Sequence, residues 1–256
     1  MKKVFFLICW FLNMQGFAQN EMPRIEMILV HGGSFTMGDK NLSPKEDEPH
    51  RVTLDAFYIG KFEVTQAQWT AIMGKNPSKF KGDSLPVSQV TWENVQEFIQ
   101  KLNEKTGKKY RLPTEAEWEF AARGGLNGNS CKYSGVRPTG YVPGRYEARN
   151  TNCASLEQCV CNSVETCPVG SKWPNELGIY DMSGNVMEWC YDWNENFTKE
   201  AVVNPKGPEN GIKRVIRGGD FTKGSVFDNI FWRNRDYPDY LDRLLGFRLA
   251  HSAEGF

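Results

Sequence analysis

The cysteines are the side chains of this sequence best suited to redox or metal chemistry, and they are placed unevenly. Of the seven, Cys9 sits in an apolar N-terminal run. The others are Cys131, Cys153, Cys159, Cys161, Cys167 and Cys190, and four of these crowd into CASLEQCVCNSVETC. An even set of six in an exported chain reads as a disulfide framework whose pairing spacing alone does not give. The rival, a zinc knuckle, fits poorly: Cys159-x-Cys161 is tighter than the usual CxxC and no histidine is near. His31, His50 and His251 are isolated from one another, and a lone histidine is more often structural than a ligand. After Cys190 there is no thiol at all.

That thiol-free end contains RGGDFTKGSVFDNIFWRNRDYPDYLDRLLGFRLA, residues 217–250. Its apolar residues follow neither the two-residue period of a strand nor the 3.6-residue period of a helix. Arg, Asn and Asp alternate with rings, a composition suited to adaptable binding surfaces. Half of the rings are expected in the core, because aromatic residues mostly owe their place to packing. The candidate ligand-binding set is Phe221, Thr222, Lys223, Phe227, Asp228, Asn229, Phe231, Trp232, Tyr237 and Tyr240.

Elements must position these groups. MKKVFFLICWFLNMQGFAQN has a basic start, a short apolar run and a small-x-small pattern, so residues 1–18 read as a secretory signal peptide rather than a core segment. The run is too short to span a membrane. The protein is then exported, periplasmic or extracellular, with one domain over 19–256 and no transmembrane segment. Formal net charge is zero, and no basic stripe suggests nucleic acid. Thr65 is placed to cap a helix to Met73, Thr91 one running to Gly107, and Thr114-Glu115-Ala116-Glu117 forms a capping box for a third that ends at Gly124-Gly125. Strands are expected at 27–30, 52–59 and 214–216. Beyond Gly124 regular periodicity mostly vanishes. The fold class is α+β, one compact domain with few regular elements and long structured loops.

The segments ILVHGGSFTMGD, FYIGKFEVTQAQW, YRLPTEAEWEFAARGG, GIYDMSGNVMEWCYDW, RVIRGGDF and LGFRLA together resemble the sulfatase-modifying-factor domain, the fold of the formylglycine-generating enzyme. That resemblance implies a C-type-lectin-related fold. The family enzyme oxidises a sulfatase cysteine with a copper-binding cysteine pair just after the RGG turn. By count those positions fall near Lys223 and Asp228 here. Neither an ammonium nor a lone carboxylate replaces a thiolate, so copper and formylglycine formation are not expected. The resemblance also implies calcium held by Asp181, Gly184, Val186 and Glu188, an oxygen-only set that suits the ion. The alternative is that Asp181 caps its turn and Glu188 is solvated. A second family calcium site would fall between Asn150 and Thr166, where cysteines take its place.

The same C-terminal frame also resembles the variable region of target proteins of diversity-generating retroelements, with Arg233, Arg235 and Pro238 as framing residues. The expected function is a non-catalytic binding module for a protein or glycan ligand, stabilised by calcium, acting through the 221–240 face. The alternatives are a metal-dependent oxidase of the same family and an envelope-assembly scaffold.

Overall fold

A computed structural model describes residues 23–40, 48–128, 133–134, 165–222 and 229–253. The signal-peptide segment lies outside them. So do Cys131, Cys153, Cys159 and Cys161, nearly all of the second calcium stretch, and Lys223, Phe227 and Asp228.

The chain opens with β1 (Met27–Val30), β2 (Gly33–Met37), β3 (His50–Leu54) and β4 (Phe57–Gly60). The strand expected over 52–59 is therefore two strands, parted at Asp55-Ala56. The reason is a shared bend. β1 pairs with β4 from Met27↔Gly60 to Val30↔Phe57, and β2 with β3 from Gly33↔Leu54 to Met37↔His50. The register is continuous, so this is one long antiparallel ribbon folded across its middle. Gly32 stands at the fold, where a Cβ would lie 2.4 Å from the Leu54 carbonyl oxygen. Only glycine allows that approach.

All three helices start as the sequence implies. In α1 (Gln66–Met73), α2 (Trp92–Thr106) and α3 (Glu115–Ala122) the capping threonine and the third helical residue exchange side chain-to-backbone hydrogen bonds, which satisfies two orphan N–H groups at each end. Gly74 and Gly107 close α1 and α2 in the left-handed conformation. The apolar face of α2 (Val95, Phe98, Ile99, Leu102) packs in one core cluster with Trp69, Trp189 and Phe247. Phe98 stacks on Trp69 at 5.2 Å and meets Phe247 edge-on at 5.4 Å.

The sequence reading missed the longest strand, β5 (Met187–Trp193). It lies inside a four-stranded sheet with β7 (Arg214–Arg217), β8 (Asn234–Asp236) and β9 (Leu245–Gly246), in the order β8-β7-β5-β9. Its register shifts between Trp189 and Trp193, which breaks the two-residue alternation that marks a strand in sequence. The chain also forms β6 (Val202–Val203), parallel to β3, and β10 (Ala250–Ser252), which pairs with β4. The result is an α+β domain with short elements and long ordered connections. Among the described residues no helix is long and apolar enough to cross a membrane.

Candidate functional site

Helix α3 organises the site. Every residue of it is buried, including Glu115, Glu117 and Glu119, and buried carboxylates require partners. Glu117 takes a two-pronged bond from Arg111, at 2.6 and 2.7 Å. Glu119 pairs with Arg123 at 2.7 Å and with Arg217. Burial alone would raise the Glu119 carboxyl, but Arg123 and Arg217 hold it below the usual range. Glu115 receives both Arg217, at 3.2 Å, and a fork from Arg233.

Arg217 ends β7, and the chain turns immediately through Gly218 and Gly219 at φ 97° and 71°. A side chain at Gly218 would press on the Trp118 ring, 3.2 Å from its Cβ. The aromatic loop is therefore fastened to α3 at both ends, by Arg217 before it and Arg233 after it. Arg217 also donates to the Ile230 carbonyl at 2.9 Å.

Beside the glycine turn lies a cavity of about 280 Å³. Trp232, Tyr240 and Met187 form walls, and Asp220, Asn234 and Asp242 bring polar groups to it. The Tyr240 hydroxyl donates to Asp242 at 2.9 Å. That bond, with some burial and the Asp242 charge, pushes the phenol up to about 12.

The expected binding set divides. Trp232 and Tyr240 line the cavity, Thr222 is exposed, and Tyr237 is 51% exposed with Lys213 above its ring at 4.7 Å. Phe221, Asn229 and Phe231 are buried and are corrected to structural residues. Phe221 packs edge-on against Phe80 at 5.7 Å. The Asn229 side chain accepts from the Phe231 N–H at 2.9 Å, which shapes the turn. Phe231 lies beneath the Arg123 guanidinium at 4.5 Å. Sequence reasoning missed Met187, Asp220, Asn234 and Asp242. The acids were visible among the rings, but nothing in their spacing set them apart from solvated charges.

Cys190 was a disulfide candidate and is instead a free thiol buried in the core. It sits in β5, in the cluster with Trp118 and Val215. Burial and the nearby Glu115 and Asp192 charges push its thiol well up, so it is neither nucleophile nor thiolate ligand. Cys167 is disulfide-bonded. His31 is exposed, His50 packs on Phe197 at 4.7 Å and His251 stacks on Tyr58 at 4.5 Å.

A second charged centre surrounds the Asp181–Glu188 turn. Glu188 is fully buried rather than solvated. Arg248 grips it with Nε at 2.7 Å and Nη2 at 2.6 Å, and the Trp118 indole N–H donates to it at 2.8 Å. Asp181, in a left-handed conformation, accepts from the Gly170 N–H at 2.7 Å. Glu63 accepts from the Asn185 side chain at 2.6 Å and the Val186 N–H at 3.2 Å. Burial, Asp181 and Glu188 push the Glu63 carboxyl well above its usual range. Burial likewise lifts Asp181 to about 6. Three buried carboxyls thus share one guanidinium, and the surplus negative charge fits a cation held by oxygen donors. Among the described residues no three His, Cys, Asp or Glu side chains form a metal cluster, so backbone carbonyls would have to complete such a site.

Comparison with known proteins agrees with this architecture. The chain is 36% identical to the chaperone protein LppX of Paenibacillus barcinonensis over 234 residues, covering 76% of this chain and 78% of that one. It is 33% identical to the formylglycine-generating enzyme of Streptomyces coelicolor over 201 residues, 75% of this chain and 60% of the enzyme. Among solved structures it resembles Treponema denticola variable protein 1 with a TM-score of 0.77 at 29% identity, covering 88% of this chain and 94% of that one. Residues 13–253 match the sulfatase-modifying factor enzyme 1-like domain, and the chain belongs to that family.

Proposed function

We propose that this protein is an exported, non-catalytic member of the family that binds a ligand through the 221–240 face and is stabilised by calcium. The observation that carries the reading is the glycine turn. In the family enzyme the chain after it supplies two thiols; here no cysteine follows Cys190, and the turn borders an aromatic-walled cavity instead. Cys190 does not substitute, because it is buried and protonated. With no thiol after this turn, neither the nucleophile nor the soft copper ligand stands where that chemistry has them. Export rests on the pattern of residues 1–18.

In this reading Asp181 and Glu188, with the carbonyls of Gly184 and Val186, hold the calcium. The ion supplies the positive charge that the carboxyls of this turn lack. Arg248 and Trp118 already occupy much of Glu188, so this residue contributes one oxygen at most and Asp181 is the principal ligand. Likeness to a chaperone favours a protein as the ligand, and with it a role in envelope assembly, over a free glycan.

The test is direct. The mature protein, loaded with copper, is incubated with a sulfatase-motif peptide, and the peptide is analysed by mass spectrometry. No aldehyde is expected; conversion of the peptide overturns the reading. Elemental analysis of the purified protein is expected to return calcium.

A further inference from the structure

Strand β8 (Asn234–Asp236) ends the four-stranded sheet, and among the described residues no strand lies on its other side. The orientation of its backbone follows from β7. The Lys213 carbonyl accepts the Asn194 N–H at the end of β5, so the backbone groups of Lys213 turn toward β5. Residues along a strand turn theirs to opposite neighbours in alternation, so Arg214 and Ile216 turn toward β8. Their register partners there are Asp236 and Asn234. Arg235, between those two, therefore presents its N–H and C=O outward, and Tyr237, two residues on, its N–H.

Among the described residues these outward N–H groups are met by the side chains that precede them. Asn234 Oδ1 accepts from the Arg235 N–H at 2.8 Å, and Asp236 Oδ1 from the Tyr237 N–H at 2.9 Å. Such caps satisfy the donors without removing them, as proline would. An incoming backbone carbonyl replaces each cap with an equivalent bond, an exchange of small net cost. Asn234, Arg235 and Tyr237 are exposed, so the edge is reachable.

We infer that β8 takes up an extended segment of a partner protein as a further strand, with an acidic residue opposite Arg235. This rests on the binding reading of the 221–240 face, which contains β8, and specifies how the ligand is held. Charge selects the occupant. A second copy of this chain, paired about a two-fold axis, sets Arg235 against Arg235, Asp236 against Asp236 or Arg235 against Arg233, depending on register. Like charges directly opposite are destabilising. Asp236 has Lys213 at 3.8 Å, whereas no acidic side chain of the described residues pairs with Arg235. A partner strand that carries a carboxylate at that place answers it, while main-chain bonds supply the rest of the attachment.

The full chain is screened against a display library of random linear heptapeptides, and the recovered peptides are titrated calorimetrically. They are expected to carry an acidic residue in an alternating sequence. Arg235→Pro removes the outward N–H and keeps the bonds of β8 to β7. It is expected to weaken binding about tenfold, against about threefold for Arg235→Ala, which keeps the N–H. Arg235→Glu is expected to shift the preference to peptides in which lysine replaces the acid. Methylating the peptide amides one at a time is expected to weaken binding at every second residue, because an added strand directs alternate N–H groups to the edge. Should Arg235→Pro fail to fold, this methyl series, which leaves the protein untouched, carries the test. A methyl pattern without a two-residue period, equal binding by the Pro and Ala variants, or a library that yields no peptide overturns the inference. A dimer in sedimentation that Arg235→Pro dissolves assigns the edge to a second copy and overturns it as well. A glycan array, run beside the library, separates this inference from the reading beneath it. Capture of a glycan or peptide that is lost on Trp232→Ala and indifferent to Arg235→Pro overturns strand addition and leaves the face a binding site. Silence of both library and array overturns both.

Discussion

Asp192 offers a sharp test of how α3 is held. It lies on β5, is buried, and accepts the Glu115 N–H at 2.8 Å at the start of α3. Burial, reinforced by the Glu115 charge, lifts its carboxyl to about 8. The folded protein therefore keeps a proton on Asp192 that the unfolded chain releases near the ordinary value of 3.8. The sign follows: between about pH 4 and pH 8 the unfolded state binds fewer protons than the native state, so stability falls as pH rises. The slope for one such proton is about 1.4 kcal/mol per pH unit. From pH 5 to pH 7 the contribution is about 3 kcal/mol. Asp192→Asn keeps an oxygen for the Glu115 N–H and removes the titration. Urea denaturation of both proteins at pH 5, 6 and 7 isolates the term, because the other groups largely cancel. The variant is expected to gain on the wild type by roughly 1 kcal/mol or more per pH unit. A difference independent of pH means that Asp192 is ionised in the fold, and the account of α3 fails.

The calcium reading has a pH signature too. Asp181 at about 6 and the raised Glu63 hold protons that a cation would expel; calcium is expected to raise the melting temperature more at pH 7.5 than at pH 5, and Asp181→Asn to abolish the shift. Arg233→Met leaves Glu115 short of its fork inside the protein and is expected to lower stability by about 3–5 kcal/mol, read by urea denaturation. An effect near zero would mean that the loop is fastened elsewhere. Cys190 is expected to resist an alkylating reagent in the native protein and to react in urea, as mapped on its peptide; rapid native labelling would place the thiol at the surface and reopen the oxidase reading.

The sequence showed the helices because their signals are local. A threonine followed three residues later by Gln, Asn or Glu is enough to start each one, and glycine stops two of them. The ribbon and β5 were less legible because tertiary contacts decide them. Nothing local marks Gly32 as the point where a backbone crosses another at 2.4 Å from a built Cβ. Trp189 and Cys190 are neighbours in sequence, yet both are buried, in different core clusters, because successive strand residues face opposite sides and β5 is covered on both; a strand buried on both faces shows no alternation of apolar and polar residues. At the site, Trp232 and Tyr240 were within reach of composition, whereas Phe221 and Phe231 look the same in sequence and differ only in what covers them. The partners of Glu115 lie 102 and 118 residues away, a separation at which no motif operates.

Those long-range pairs also explain how the proposed binding face and a firmly held fold can coexist in one segment. Arg217 and Arg233 bracket the aromatic loop, and both terminate on α3 carboxylates. Between them Phe221, Asn229, Ile230 and Phe231 are buried, while Thr222, just past the turn, is exposed. The described anchors therefore sit at the two ends of the loop, against a helix that is itself fixed on all sides. Substitution at Thr222 or Tyr237 touches none of these anchors, so it alters what the face presents without loosening what holds it. Exchange at Arg217, Arg233 or Glu115 instead strands a buried charge and releases the whole segment. On the proposed binding reading, ligand choice is then free to change only at residues that do not reach α3.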